Sequence, residues 1–307
     1  MFDLSGRTVL ITGGCGQLGQ QHAEAILECG GDVVLADIVD KYKQKWVIDK
    51  LREKFPLESM SAVFMDITDK SSIQKAVDRY TKIDVLINNA GIDPKIEEGL
   101  DWKNKFEHLE LDSWNKMLEV TLTGTFLCSQ VVVNKMLSTG LESEYCRDGG
   151  IILNVASDLA VISPDQRIYK DENIVKPASY GVAKAGVVNL TKYMATYFAK
   201  KNIRVNSISP AGVKNEKVSE DFSQEISKLI PMNRMASAKD IVGAVLFLSS
   251  DARKPLSLYK LEISTLCSQF SCWASTPFIL PKNTSNDLIT SPSSLESIIG
   301  LISHPVS

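Results

Sequence analysis

The sequence predicts an α/β fold in which one doubly wound parallel sheet is covered by helices on both faces. Three observations support this prediction. Short apolar runs alternate with segments of helical period, the runs are continuously apolar, and a dense glycine cluster follows the first run. Strands that are apolar on both faces are typical of parallel sheets buried between helices. A chain of 307 residues with 44% hydrophobic content can bury such a core in a single domain.

The elements follow one another as strand, loop and helix. The first apolar run predicts a strand at 7–12, and the segment after the glycines has apolar residues at helical spacing up to Gly30 and Gly31. Further apolar runs predict strands at 32–37, 61–66, 83–91, 150–157 and 203–210. Ligands of such a sheet bind at the carboxyl ends of the strands.

The glycine cluster "TGGCGQLG" at 12–19 lies between the first strand and the first helix. Backbone amides and a helix N-terminus at this place favour a pyrophosphate, whereas glycines alone indicate only a turn. Asp37 ends the second strand, where a carboxylate can accept hydrogen bonds from ribose hydroxyls. The combination predicts a Rossmann-type dinucleotide site. Asp37 would repel a 2′-phosphate and so favours NAD over NADP, although Lys41 and Lys43 lie nearby and weaken this preference.

A second pattern supplies chemistry. Tyr180 and Lys184 are four residues apart in a helical segment, so both side chains share one face. A phenol has an unperturbed pKa of about 10, and a neighbouring ammonium favours the phenolate. Tyr180 could therefore exchange a proton with a hydroxyl or carbonyl. The same spacing also occurs on ordinary helix surfaces.

Composition excludes several classes of function. The net charge is -3 and the pI is near 5.8, with lysines and arginines scattered, so a nucleic-acid partner is not expected. No apolar run approaches the roughly 20 residues of a membrane span, and no secretory leader precedes the first strand. The six cysteines form no CxxC pair, which indicates reduced thiols, a cytoplasmic location and no metal site.

Five motifs in order resemble the short-chain dehydrogenase/reductase family, in its single-domain branch. They are "TGGxGxLG" at 12–19, "NNAG" at 88–91, "NVAS" at 154–157, "YGVAK" at 180–184 and "RVNSISP" at 204–210. The match covers about residues 1–253. The resemblance implies a Rossmann-type sheet and NAD(P)-dependent hydride transfer on a small molecule, in a homodimer or homotetramer.

The resemblance also assigns residues. It implies Tyr180 as general acid/base, Lys184 as pKa modulator and ribose ligand, and Ser157 as the hydroxyl that orients the carbonyl. The implied cofactor-binding residues are Gly13, Cys15, Gln17, Leu18, Gly19, Asp37, Asp66, Ile67, Asn89, Ala90, Gly91, Tyr180, Lys184, Pro210, Gly212 and Val213. In this scheme the cofactor carries the hydride, and the protein supplies orientation and proton transfer.

The chain departs from the family pattern inside the motifs. Gln17 replaces the family's middle glycine, with Gly16 displaced by one position, a spacing closer to the longer sugar-nucleotide branch. Thr121 stands where the family has a helical asparagine that completes a proton relay, and threonine has no amide. We therefore expect a slightly different cofactor geometry and an altered relay.

A third departure is an insertion between Ser157 and Tyr180, which is longer than in the family and predicts a loop over the active site. Asp165 and Arg167 are its candidate substrate-binding residues, because Arg167 can grip a carboxylate and both suit a hydroxyl-rich molecule. The sequence of the insertion is similar to that of bacterial oxidoreductases of flagellin-modification and nonulosonic-acid sugar pathways. The alternative is a solvated loop without a ligand. Residues 216–235 predict a mobile lid.

The fourth departure is the atypical C-terminal tail at 254–307. It holds 12 serines and five of the 11 prolines, with no sustained period, so we expect a poorly ordered segment in place of the family's last strand. A frameshift or an altered gene model would account for it. The expected cost is exposed sheet edge and weaker oligomer assembly.

Together these observations predict an NAD-dependent alcohol dehydrogenase or ketoreductase acting on a polar, sugar-like substrate. One alternative is a non-catalytic or defective dinucleotide-binding relative, which Gln17, Thr121 and the tail would favour. The other is a sugar-nucleotide epimerase or dehydratase, which the glycine spacing favours and the "NNAG" motif opposes.

Overall fold

The computed structural model of the protein describes residues 2–93, 101–139, 149–171, 174–216 and 218–250. The predicted tail at 254–307 lies outside these described residues. Within them, strands and helices alternate along the chain.

The described strands form one parallel sheet in the order β3-β2-β1-β4-β5-β6. Their bounds are β1 Thr8–Thr12, β2 Asp32–Asp37, β3 Met60–Phe64, β4 Val85–Asn88, β5 Ile151–Val155 and β6 Arg204–Ile208. The strand order reverses between β1 and β4, which is the switch point where open α/β sheets bind ligands. The predicted doubly wound parallel sheet is confirmed.

Helices cover both faces of the sheet. Their bounds are α1 Gln17–Glu28, α2 Lys41–Arg52, α3 Lys70–Val77, α4 Leu111–Leu118, α5 Gly124–Ser138, α6 Ala178–Phe198, α7 Glu220–Leu229 and α8 Ala238–Ser249. Val9 and Ile11 of β1 pack in one apolar cluster with α1, α2 and α8, whereas Leu10 packs in another with α3, α5 and α6. Both faces of the strand are therefore buried, as its continuous apolar run predicted.

The strands end earlier than the apolar runs that predicted them. The predictions at 61–66, 83–91, 150–157 and 203–210 run two or three residues past the carboxyl ends of β3, β4, β5 and β6. The surplus residues leave the ladder at the carboxyl end of each strand. Asp66 and Ser157, for example, turn their side chains to local backbone amides there. Apolar periodicity does not mark this exit, because these loop residues are also largely buried.

One helical run, Leu111–Ser138, joins α4 and α5 through a π-helical turn at Glu119–Thr123. By length and composition alone this run could cross a bilayer, which the apolar-run criterion missed. Half of its most apolar window is buried within the fold, where Cys128 and Val132 pack against the sheet. This burial is that of a core helix.

Candidate active site

A cavity of about 1030 Å³ opens at the carboxyl ends of the strands. Residues that follow each of the six described strands line its wall, from Gly13 after β1 to Pro210 after β6. The glycine loop, the catalytic candidates and the insertion therefore meet at one space, as the topology predicted.

The glycine loop fits a dinucleotide phosphate group on two grounds. Gly16 is the N-cap of α1 and provides no capping side chain. The first backbone amides of α1 are therefore available to an anion at the end of the helix that meets the cavity. A Cβ at Gly19 would lie 2.4 Å from the Gly13 oxygen, and one at Gly13 would lie 2.9 Å from Ala90 Cα. Only glycine allows the loop to pack this closely. Gln17 bridges the loop to the segment that follows β6, because its side-chain amide donates a 2.9 Å hydrogen bond to the Lys214 oxygen.

Asp37 is fixed at the cavity wall at the end of β2. Its Oδ2 accepts a 2.9 Å hydrogen bond from the Cys15 amide, and its Oδ1 accepts one from the Val39 amide at 3.2 Å. The glycine loop and the acidic residue thus hold each other in place. Cys15 contributes through its backbone and is itself buried.

Most of the predicted cofactor residues line the cavity. These are Gly13, Gln17, Leu18, Asp37, Asp66, Ile67, Asn89, Ala90, Gly91, Tyr180, Lys184, Pro210, Gly212 and Val213. Cys15 and Gly19 stand behind the wall and shape the loop. Thr12 Oγ1 secures the opposite side by accepting 3.0 Å hydrogen bonds from the amides of Asn89 and Ala90.

The three predicted catalytic residues converge on the same cavity. Ser157 follows β5, and Tyr180 and Lys184 lie in the first turns of α6. Lys184 Nζ donates a 2.8 Å hydrogen bond to the Val155 oxygen and lies 6.0 Å from the Tyr180 ring centroid. The Tyr180 hydroxyl forms a hydrogen bond with the Ser157 side chain, which only partly offsets the rise that burial causes in the Tyr180 pKa. The side chains needed for proton exchange are therefore assembled.

The expected lowering of the Tyr180 pKa is outweighed in this structure. Burial, reinforced by the Asp93 carboxylate, raises the pKa of Tyr180 above its ordinary value. Burial also lowers the pKa of Lys184 to about 8. The phenol is therefore protonated at neutral pH and can donate to a carbonyl oxygen.

Asp158 was not foreseen as a site residue. Its Oδ1 accepts hydrogen bonds from Ser157 Oγ at 2.9 Å and from the Leu159 amide at 2.8 Å, and its carboxyl lines the cavity. Burial raises its pKa. The sequence signal that could have identified Asp158 is its position directly after Ser157.

The insertion borders the cavity as predicted, and its two candidate substrate residues are placed differently. Asp165 lines the cavity, whereas the Arg167 guanidinium does not. Arg167 is 89% exposed and forms a two-pronged ion pair with Asp165, with nitrogen to oxygen distances of 2.8 and 2.6 Å. Substrate binding by either residue stays a prediction.

The end of the insertion is tied to its middle by one side chain. Gln166 donates from Nε2 to the Lys176 oxygen and accepts at Oε1 from the Lys176 amide, both at 3.0 Å. Lys176 points into the cavity, forms an ion pair with Asp93, and places Nζ 4.1 Å from the Tyr180 ring centroid. Sequence reasoning missed Lys176 and Asp93 because they are 83 residues apart.

The predicted lid contains helix α7, which packs on the insertion. The rings of Tyr169 and Phe222 stack with centroids 5.5 Å apart, and Lys170 pairs with Asp221 at 2.9 Å. Phe222 and Ile226 give the cavity an apolar wall. Motion of this segment stays a prediction.

Thr121 lies in the π-helical turn and is buried. A side chain at Gly91 would lie 3.6 Å from Lys184 Nζ and 3.8 Å from Thr121 Oγ1, so these groups are neighbours. Thr121 Oγ1 itself contacts Met117 Sδ at 3.6 Å. A part for Thr121 in a proton relay stays a prediction. Across the described ranges, no cluster of His, Cys, Asp and Glu could hold a metal ion.

Comparison with known proteins agrees with this geometry. A family model described as enoyl-(acyl carrier protein) reductase matches residues 16–257. An NAD-dependent glycerol dehydrogenase of Listeria innocua is 31% identical over 259 residues, covering 82% of this chain and 89% of the relative.

Two solved structures share the fold. A short-chain dehydrogenase from Leptospira borgpetersenii with bound NAD+ has 31% identity and a TM-score of 0.67, covering 83% of this chain and 89% of that one. A gluconate 5-dehydrogenase from Burkholderia cenocepacia in complex with NADP and tartrate has 26% identity and a TM-score of 0.68, covering 82% and 91%. These matches agree with the glycine loop and with the group formed by Ser157, Tyr180 and Lys184. The chain is therefore a member of the short-chain dehydrogenase/reductase family.

Proposed function

We propose that the chain is an NAD-dependent oxidoreductase that interconverts a secondary alcohol and a ketone on a polar, sugar-like substrate. The observation that carries the proposal is the meeting of Ser157, Tyr180 and Lys184 in a cavity whose other end is formed by the glycine loop and Asp37. The relatives named above act on glycerol and gluconate, as their names state.

The cofactor and the side chains carry out different parts of the reaction. When bound, the nicotinamide cofactor accepts or donates the hydride. Tyr180 donates a proton to the carbonyl oxygen in reduction and accepts the hydroxyl proton in oxidation, while the Ser157 hydroxyl orients that oxygen. The raised pKa of Tyr180 makes the phenol a ready donor at neutral pH. Oxidation requires the phenolate and should accelerate as pH rises.

Preference for NAD rests on Asp37. Its carboxylate accepts two amide hydrogen bonds and lines the cavity at the end of β2. A ribose with free hydroxyls can donate to this carboxylate, whereas a 2′-phosphate would meet like charge. A cytoplasmic location, a homo-oligomeric state and the finer resemblance to flagellin-modification and nonulosonic-acid enzymes stay predictions.

The first test is thermal unfolding of the full chain alone, with NAD+ and with NADP+. A ligand that binds only the folded state raises the midpoint, so NAD+ should raise it more than NADP+. Turnover is then measured on alditols and aldonates with wild type and Tyr180→Phe, which removes only the reacting hydroxyl. Loss of turnover with retained NAD+ binding is expected. Turnover that survives in Tyr180→Phe, or a protein indifferent to both cofactors, would overturn the proposal.

A further inference from the structure

Lys176 brings an ammonium group to the catalytic end of the cavity that the proposed reaction does not use. Its Nζ lies 4.1 Å from the Tyr180 ring centroid, and its side chain is only 17% exposed. The double hydrogen bond from Gln166 fixes its backbone directly before α6. A partly buried cation that is held beside a reacting centre favours an anionic partner.

The other lysines of the cavity wall are engaged elsewhere. Of the three that line the described wall, Lys116 pairs with Glu119 at 3.0 Å. Hydrogen bonds from Thr68 lower the pKa of Asp66, and the Lys116 charge adds to this effect, which places Lys116 at the cofactor end. Lys184 donates to the Val155 oxygen below Tyr180. Lys176 is therefore the cation best placed to meet a substrate above the Tyr180 ring.

The existing partner of Lys176 can be exchanged. Asp93 is 76% exposed while the Lys176 side chain is 17% exposed, so the carboxylate is largely hydrated and the ammonium largely dry. Exposed carboxylates gain little from such a pair. An ammonium carries three donors, which leaves Lys176 able to bind a second carboxylate that enters from the cavity.

We propose that Lys176 binds the carboxylate of a polyhydroxy acid and thereby places a hydroxyl-bearing carbon at Tyr180. This inference rests on the proposed function and names its substrate class. One ammonium matches a monoanion. The acidic side chains nearby, Asp158 and Asp165, line the same wall and can accept hydrogen bonds from the hydroxyls of the acid.

The apolar wall formed by Phe222 and Ile226 completes the recognition. It faces the cavity from α7 and can pack against the carbon chain of the substrate. A cavity with one charged anchor, a few polar groups and an apolar wall fixes both position and orientation.

The test compares an acid with its neutral counterpart. Steady-state kinetics with NAD+ are measured for four- to six-carbon aldonates, including D-gluconate, and for the corresponding alditols, including D-glucitol. The variants are Lys176→Met, Lys176→Arg and the control Lys228→Met, whose exposed ammonium pairs with Glu225 at 2.8 Å on α7. Aldonate-induced thermal shifts of the NAD+ complex provide a readout that does not require turnover.

Lys176→Met should lower kcat/KM for the aldonates by about tenfold or more, mainly through KM, with little change for the alditols. Lys176→Arg should recover most of the loss, and Lys228→Met should behave as wild type. Asp93→Asn should lower the aldonate KM, because it removes the competing carboxylate.

Other outcomes would overturn the inference. An equal loss of kcat/KM for aldonates and alditols would show that Lys176 acts on Tyr180 and does not bind the substrate. Turnover of alditols alone that depends on Tyr180 would reject binding of a substrate carboxylate by Lys176 and would leave the proposed function standing. A Lys176-dependent thermal shift without any turnover would support the binding site and reject the proposed function. Absence of both turnover and shift would reject both.

Discussion

Asn88 donates a 2.8 Å hydrogen bond from its side-chain amide to Asn154 Oδ1, and so joins β4 to β5 inside the core. The two residues are register partners in the sheet. Asn88 also donates to Ser129 Oγ of α5, and Asn154 donates to Thr191 Oγ1 of α6. This buried chain of hydrogen bonds fixes α6, which carries Tyr180 and Lys184, to β4 and β5.

Replacing Asn154 should therefore weaken the fold measurably. Asn154→Ala removes the acceptor of Asn88 and the donor to Thr191 in a fully buried place, and we expect a loss of about 2–3 kcal/mol in the free energy of unfolding. Urea denaturation checks it. Asn134→Ala, at an exposed position of α5, is the control and should change stability by about 0.5 kcal/mol or less. Equal effects of the two substitutions would contradict the prediction.

Asp37 should govern the choice of cofactor. Asp37→Asn removes the charge and leaves only one oxygen for the amides of Cys15 and Val39. We expect NAD+ affinity to fall about tenfold and the NAD+ to NADP+ affinity ratio to fall further. Calorimetric titration with both cofactors measures this. Asp32→Asn, at the exposed start of β2, is the control. An unchanged ratio would show that selection lies elsewhere.

His22 should make the fold sensitive to acid. Its ring is fully buried in α1, neither nitrogen has a hydrogen-bond partner among the described residues, and burial lowers its pKa from 6.5 to about 4. Between these values the unfolded chain binds a proton that the folded chain does not, so stability falls as pH drops through this window.

His22→Leu removes that dependence. The stability of the variant relative to wild type should rise by roughly 3 kcal/mol between about pH 7 and pH 4, and should be constant above about pH 7. Denaturation at a series of pH values measures the difference. Parallel curves for the two proteins would show that His22 does not titrate in this way.

Two glycines provide a matched test of the loop. A Cβ at Gly19 would lie 2.4 Å from the Gly13 oxygen, which is backbone and cannot move aside, so Gly19→Ala should cost about 2–3 kcal/mol and weaken NAD+ binding. Among the described residues, no atom outside its own helical turn lies within 4 Å of the Cβ position of Gly243 in α8. Gly243→Ala should stabilise the fold by about 0.5–1 kcal/mol. Thermal and urea unfolding of both variants measure these changes in the free energy of unfolding.

The sequence was sufficient for the sheet and the glycine loop because both depend on local signals. The apolar runs marked every described strand, and the glycines with Asp37 marked the loop. The wall of the substrate end was largely missed. Lys176 meets Asp93 only because the insertion folds back through Gln166, and no local pattern specifies that return path.

Arg167 shows a competing contact that the sequence also contains. Its guanidinium predicts a carboxylate ligand, and in the structure it pairs with Asp165, two residues away in the chain. A short-range charge pair of this kind competes with a substrate carboxylate for the same guanidinium, so substrate binding by Arg167 stays a prediction.

The π-helical turn at Glu119–Thr123 also bears on how this fold tolerates changes in chain length. A π-helical turn takes one residue more than an α-helical turn to complete the same rotation about the helix axis. The turn therefore absorbs one residue between α4 and α5 without turning either helix away from its neighbours. Deleting a single residue from the turn would convert it to an ordinary α-helical turn and leave the faces of α4 and α5 in place.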